Sequence, residues 1–198
     1  MNRSEILELL KSELKAKRVI HTLGVEQTAV WLAYIYGENI EFASTAALLH
    51  DCAKYMPTKD KLAICAKYKL EVTKTEKENP ELLHAKAGAL YAYEKYGIEN
   101  REILEAIYYH TTGRPQMSLL QEIIFVSDYI EPNRTHSDSL PLLRELSGNN
   151  LELTVAEILE ETLLYLEKRK NNKIKAIDSM TKQAFEYYKI YLEERIGE

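Results

Sequence analysis

The sequence is poor in the residues that interrupt regular structure, and it contains almost no cysteine. Its 198 residues include 7 glycines, 5 prolines and 2 cysteines. Cys52 and Cys65 cannot form a disulfide framework, which excludes the small disulfide-stabilised secreted folds. No apolar run approaches the roughly 18 residues of a membrane-spanning helix, and the first residues lack the apolar segment of a signal peptide. These absences predict a cytoplasmic protein.

The balance of charge argues against a nucleic-acid partner. The chain has 26 lysine and arginine residues against 31 aspartate and glutamate residues, a formal net charge of −5. A protein that binds a nucleic-acid duplex usually carries a basic face, and none is evident here. A small phosphorylated ligand is compatible with this charge, because a few local cations or metal ions suffice to bind it. The sequence leaves open whether the chain forms a homodimer.

The pattern of apolar residues predicts an all-helical fold of about ten helices. Runs of alternating β-branched residues, which would indicate strands, are missing. We expect helices over about 4–14, 17–36, 41–55, 58–68, 80–97, 100–110, 118–131, 139–146, 151–170 and 179–195, with a mobile loop over 73–79. The length predicts a single domain over residues 1–198, with its core at about 17–135 and a helical extension at about 138–198.

A histidine and an aspartate stand side by side at the end of an alanine-rich apolar segment. His50 and Asp51 follow the sequence Ala-Ala-Leu-Leu, where a charged group is costly without a partner. Adjacent residues of a helix point about 100° apart. The pair can therefore bind one metal ion from two sides, or the carboxylate can bridge two ions. Lys54 follows three residues after Asp51 and is expected on the same helix face.

Three more histidines and a second aspartate extend this pair into an ordered set on separate helical segments. Asp128 follows a run of four apolar residues, where a buried carboxylate needs a metal ion, an arginine or several hydrogen-bond donors. A lone histidine at a helix end usually serves packing or capping, but an ordered set is hard to obtain by chance. In chain order the set is His21, His50, Asp51, His84, His110 and Asp128. Four imidazoles and two carboxylates suit iron or manganese better than structural zinc.

This set resembles the HD superfamily of metal-dependent phosphohydrolases, in the variant that binds two metal ions. Several stretches are similar to one branch of it, the symmetrical bis(5′-nucleosyl)-tetraphosphatases of the YqeK type. They are His21 to Val25, Leu48 to Lys54, His84 to Ala89, Tyr109 to Arg114 and Asp128 to Arg134. The similarity extends from about Lys17 to the end of the chain. It implies an all-helical HD domain that cleaves diadenosine tetraphosphate into two ADP.

The resemblance, together with the chemistry and position of each residue, assigns a role to every site residue. Asp51 would bridge two metal ions, most simply iron or else manganese, and the terminal ligands would be His21, His50, His84, His110 and Asp128. Water acidified by both ions would attack a central phosphorus. Lys54 would stabilise the charge of the departing diphosphate, and Arg134 would hold the polyphosphate chain. Thr111, Thr112 and Gly113 would bind a phosphate, although a simple helix stop explains Gly113 equally well.

Two other functions are compatible with the same residues. A nucleotidase or cyclic phosphodiesterase of the same superfamily would act on other nucleotides with the same ligands. A nucleotide-binding sensor would keep the metal ions without turnover. The complete ligand set and Lys54 favour a hydrolase, because a non-catalytic relative usually loses some of these residues.

Overall fold

In the computed structural model, every regular element is helical. The structure describes residues 1–169 and 177–197, and these ranges contain no β-strand. They form α1 (Arg3–Glu13), α2 (Ala16–Tyr36), α3 (Ile40–Leu49), α4 (Thr58–Lys67), α5 (Lys74–Glu78), a 3₁₀ turn (Pro80–Leu82), α6 (Leu83–Tyr96), α7 (Arg101–Tyr109), α8 (Leu119–Ile130), α9 (Leu140–Ser147), α10 (Leu151–Arg169), α11 (Ser179–Tyr188) and α12 (Ile190–Gly197). The predicted all-helical fold is confirmed.

Two predicted elements differ from the structure. The predicted mobile loop over 73–79 contains α5, where Thr73 and Glu76 cap each other's backbone amides in a capping box. The predicted last helix is divided at Lys189 into α11 and α12. The capping box predicted at Ser118 and Gln121 is confirmed at the start of α8.

The end of α3 also differs from the prediction, and this difference shapes the site. The helix ends at Leu49 rather than near residue 55. The following residues form tight turns, in which the amide of Cys52 donates to Leu49 O at 3.1 Å and the amide of Lys54 donates to Asp51 O at 2.9 Å. In turns of this kind residues three apart lie above one another. The side chains of Asp51 and Lys54 therefore still lie on the same side of the chain, as the predicted helix required.

Small residues allow the central helices to approach one another closely. Ala46 and Ala47 of α3 are fully buried, and α3 packs against α2, α7 and α8. Gly88 of α6 lies against the turn after α3, where the Cys52 thiol donates to Gly88 O at 3.4 Å. This packing brings the end of α3, the start of α6 and the end of α7 to one place. No helix of the described residues is both long and apolar enough to cross a membrane.

The C-terminal helices support the other side of the core. Helix α10 packs against α8, α9 and α11. The hydroxyl of Tyr188 on α11 accepts from the amide of Met117 at 3.1 Å and donates to Glu122 of α8 at 2.5 Å. Tyr188 is almost completely buried. These contacts fix α8, the helix that carries Asp128.

Candidate metal centre

The structure brings all six predicted metal ligands together. They come from five different elements, and each lies where its element points into the core. His21 is on α2, His50 and Asp51 follow α3, His84 is in the first turn of α6, His110 ends α7 and Asp128 is on α8. The four histidines and Asp51 are all more than nine-tenths buried. Charged and polar groups buried this deeply require specific partners.

The six side chains form two groups that meet at Asp51. One potential ligand atom each from His21, His50 and Asp51 lies within 4.8 Å of the other two, and the same holds for Asp51, His84 and His110. Asp51 Oδ2 is 3.5 Å from His50 Nε2, and Asp51 Oδ1 is 3.0 Å from His84 Nε2. Each oxygen of this carboxylate therefore faces one group, which is the arrangement a bridging ligand needs.

Asp128 joins the first of the two groups. Its Oδ1 atom lies 3.1 Å from His21 Nε2 and 3.8 Å from His50 Nε2. Burial opposes ionisation of both Asp51 and Asp128. The imidazoles of His50 and His84 nevertheless hold the pKa of Asp51 well below its ordinary value, and the contact with His21 does the same for the pKa of Asp128. Both carboxylates are therefore ionised at neutral pH and able to bind cations.

The three histidines near helix ends or starts are oriented by the backbone. Each donates its Nδ1–H to the carbonyl three residues earlier, at 2.6 Å for His50 and 2.7 Å for His110, and His84 makes the same contact with Glu81 O. Burial and repulsion by the imidazoles of His84 and His50 lower the pKa of His110 to about 3. A proton on Nδ1 leaves Nε2 as the free ligand atom, which is how protein histidines commonly bind metals.

The orientation of the rings tests whether metal ions fit the centre. His21 Nε2 lies 3.3 Å from His50 Nε2, and His84 Nε2 lies 3.1 Å from His110 Nε2. With the protons on Nδ1, each pair brings two lone pairs face to face, which is unfavourable unless a cation lies between them. Asp51 Oδ1 is also buried without a hydrogen bond among the described residues. Nitrogen and oxygen donors in this arrangement fit divalent first-row metal ions.

Two cations contact the shared carboxylate. Lys54 Nζ, which was predicted, lies 3.5 Å from Asp51 Oδ1 and 3.1 Å from His84 Nε2. The guanidinium of Arg18, which was not predicted, donates to Asp51 Oδ2 at 2.7 Å. The sequence does contain a signal for it, since Arg18 lies one helical turn before His21 and therefore on the same face of α2.

The other residues predicted to bind substrate lie at different distances from the centre. Arg134 donates to Asp128 Oδ1 at 2.7 Å, and Thr111 Oγ1 lies 3.1 Å from His110 Nε2. The hydroxyl of Thr112 instead donates to the neighbouring carbonyl at 3.0 Å.

Gly113 lies outside the centre as well. It is buried and has φ +62°, and a Cβ atom at this position would point toward Ala184 and Phe125. The structure thus brings Lys54, Thr111 and Arg134 to the centre and leaves Thr112 and Gly113 outside it. The roles of all five residues in binding substrate stay predictions.

Glu131 is a second residue that sequence reasoning missed. Its Oε1 accepts from His21 Nδ1 at 3.1 Å, and its Oε2 accepts from the amide and the side chain of Asn133 at 2.7 and 2.9 Å. A Cβ atom at Gly24 of α2 would overlap Glu131 Oε2, so the glycine leaves room for this contact. The available signal was an acidic residue between an apolar helix and Pro132.

Comparison with known proteins identifies the family to which this centre belongs. Residues 18–133 match the HD domain family, and they include all six candidate ligands as well as Arg18 and Glu131. The chain is a member of the HD domain family. The family expected from the sequence is thereby confirmed.

Relatives of this HD domain protein cover most of its length. It is 39% identical over 169 residues to the symmetrical bis(5′-nucleosyl)-tetraphosphatase of Bacillus subtilis, covering 85% of this chain and 90% of that protein. It is 41% identical to the protein of the same name from Halalkalibacterium halodurans, covering 85% of this chain and 89% of that protein.

A crystal structure from Clostridium acetobutylicum is also similar to this chain. It is described as a predicted HD superfamily hydrolase involved in NAD metabolism. The TM-score is 0.89 at 36% identity, covering 95% of this chain and 97% of that chain. The structural similarity therefore extends beyond residues 18–133 into the C-terminal helices.

Proposed function

We propose that this protein hydrolyses diadenosine tetraphosphate symmetrically to two ADP, using two metal ions, most simply iron. The observation that carries the proposal is the position of Asp51, whose two oxygens each face a separate group of histidines. The two relatives named symmetrical bis(5′-nucleosyl)-tetraphosphatase support the choice of substrate, because this chain spans almost all of each.

The ligands divide naturally between two ions. His21, His50 and Asp128 would hold one ion, His84 and His110 would hold the other, and Asp51 would contact both. When bound, such ions supply an acidified water and neutralise phosphoryl charge. The Nδ1 contacts described above keep each imidazole in the tautomer and the orientation that this requires.

The cations around the centre would act on the phosphate chain. Lys54 is held beside Asp51 and His84, where a positive charge can stabilise the departing ADP. A nucleoside diphosphate is a weakly basic leaving group, so it needs stabilisation of charge more than protonation. Arg134 lies beside Asp128, at the opposite group of ligands, and its planar fork suits a second phosphate. These two residues would hold the chain from both sides and place a central phosphorus at the ions.

The position of bond cleavage tests the proposal. Purified protein loaded with iron or manganese is incubated with diadenosine tetraphosphate in heavy-oxygen water, and the early products are separated by chromatography. We expect ADP as the only early product, with solvent oxygen in its β-phosphate. AMP together with an equal amount of ATP would show asymmetric cleavage and refute the proposal.

The same assay separates the competing functions. A nucleotidase or phosphodiesterase would turn over dAMP or a cyclic dinucleotide faster than diadenosine tetraphosphate. A sensor would bind nucleotides without turning over any of the three, even with both metal positions filled.

A further inference from the structure

A groove with a volume of about 520 Å³ lies beside the metal centre. Its walls are the start of α2, Tyr55 in the turns after α3, and the segment 131–136 that follows α8. His21 and Glu131 line the groove too, so it is continuous with the centre. Its volume falls within the roughly 300–1,000 Å³ that is usual for small-molecule sites.

Positive charge dominates the lining of this groove. The one carboxylate among its lining residues belongs to Glu131, which is already bonded to His21 and Asn133. Four cationic side chains line the groove with this single acid: Lys15, Lys17, Arg18 and Arg134. Arg18 and Arg134 also donate to Asp51 and Asp128 of the adjoining centre, which leaves the two lysines as the excess charge. Since the whole chain has a net charge of −5, this local excess of positive charge stands out and is suited to an anion.

An aromatic ring completes the groove. Tyr55 is 44% exposed, although it follows the buried residues of α3. Lys15 Nζ lies 5.0 Å from the centre of its ring, close enough for a cation–π contact. Aromatic rings combined with cations are the usual means of binding nucleotides, because the ring stacks on a base and the cations bind phosphate.

We propose that this groove binds one nucleoside diphosphate half of the substrate, with its phosphates near Arg18 and Arg134 and its base against Tyr55. The identity of the substrate rests on the proposed function. The binding chemistry of the groove does not depend on which phosphorus is attacked, so it can be tested separately.

Titration with ADP and with inorganic pyrophosphate separates recognition of the base from recognition of the phosphates. Both ligands are titrated by calorimetry into manganese-loaded protein. We expect Tyr55→Ala to weaken ADP binding about tenfold and to leave pyrophosphate binding unchanged, because pyrophosphate has no base. Tyr55→Phe should bind ADP like the parent protein. Lys17→Ala should weaken both ligands.

Two further variants keep the result interpretable. Tyr93→Ala is the matched control, since Tyr93 is also 44% exposed but lies in a different groove. Tyr55→Leu retains an apolar side chain and replaces Tyr55→Ala if the alanine variant does not fold. The proposal would be overturned if Tyr55→Ala lost ADP binding and pyrophosphate binding equally, or if it lost neither. It would also be overturned if Tyr93→Ala lost as much ADP binding as Tyr55→Ala. Cleavage to AMP and ATP would refute the proposed function but leave the ADP titration as a valid test of the groove.

Discussion

At the scale of single residues, Asp51 and Arg134 are expected to differ in their effects on catalysis. Among the residues that the structure describes, Asp51 alone belongs to both groups of potential ligands, and Asp51→Ala removes it. Turnover should fall by more than about a hundredfold, because loss of a ligand exceeds the 10–100-fold cost of losing an outer partner. Arg134→Ala should mainly raise KM if its contact is equal in the ground and transition states. Steady-state kinetics and metal analysis of both variants measure these effects.

The control for this pair is Asp60→Ala, which removes an exposed carboxylate on α4. Its kinetics should match those of the parent protein. Unchanged KM and kcat in Arg134→Ala would make this arginine a bystander.

Substitution of Glu131 should change the metal affinity and not only the rate of hydrolysis. The residue accepts from His21 Nδ1 and so holds the ring in place. We expect Glu131→Ala to weaken metal binding by roughly 10–100-fold, measured by competition with a chelator of known affinity. Glu131→Gln, which keeps an acceptor oxygen, should recover part of this loss. Equal metal affinity in Glu131→Ala and in the exposed-site variant Glu145→Ala would contradict the assignment.

The sequence predicted residues whose chemistry is conspicuous and missed those that depend on tertiary contacts. A carboxylate on an apolar helix, such as Asp128, stands out because its burial would be costly without a partner. Arg18 is an ordinary charged residue until α2 packs against the end of α3, where Asp51 lies. Glu131 is one until α2 packs against α8, and no local pattern predicts these helix pairings. Thr112 was grouped with Thr111 by adjacency, but neighbouring residues in a turn point in different directions.

At the scale of helices, two glycines make contrasting predictions. An alanine normally favours a helix interior over glycine by roughly 1 kcal/mol. Gly88→Ala should gain stability and keep metal affinity, because its Cβ would meet no atom closer than 3.5 Å. Gly24→Ala should lower metal affinity about tenfold, because its Cβ would displace Glu131 from His21. Thermal unfolding and metal titration of both variants provide the comparison, and equal metal affinities would contradict the role of Gly24.

The contact between α8 and α11 predicts a dependence of stability on pH. Burial raises the pKa of Glu122 from 4.5 to about 7, so the folded state holds this proton more tightly than the unfolded state. The contribution is complete below about pH 4.5 and is lost as the pH rises through about 7. Glu122→Gln cannot ionise and should gain up to about 3 kcal/mol relative to the parent between these limits. Denaturant unfolding at several pH values measures this difference, and a constant difference would contradict it.

Helix existence was easier to predict than helix ends. The apolar periodicity of α2 and α8 defines them over their whole length. The predicted end of α3 lies beyond the observed one, because residues 50–55 are apolar or compatible with a helix. Only backbone hydrogen bonds such as the one between Asp51 and Lys54 show that the chain forms tighter turns there. Such turns depend on hydrogen bonds that composition does not reveal.

At the scale of the whole molecule, metal ions should stabilise the fold. The centre joins five elements, and its four histidines and Asp51 are buried. At a free metal concentration one hundred times Kd, binding adds about 2.7 kcal/mol, which corresponds to roughly 5–10 °C in Tm for a chain of this size. Calorimetry with manganese and with a chelator should show this shift, together with close to two ions per chain. A shift in Asp51→Ala as large as in the parent would contradict a shared centre.

The separation of the site residues along the chain has a consequence for biosynthesis. His21 and its partner Glu131 are 110 residues apart, and the remaining ligands lie between them. At roughly 5–20 residues per second, the ribosome needs several seconds to add the last of these residues after the first histidine has been made. No nascent chain that ends before Glu131 can form the complete site, so metal ions can enter it only late in translation or after release.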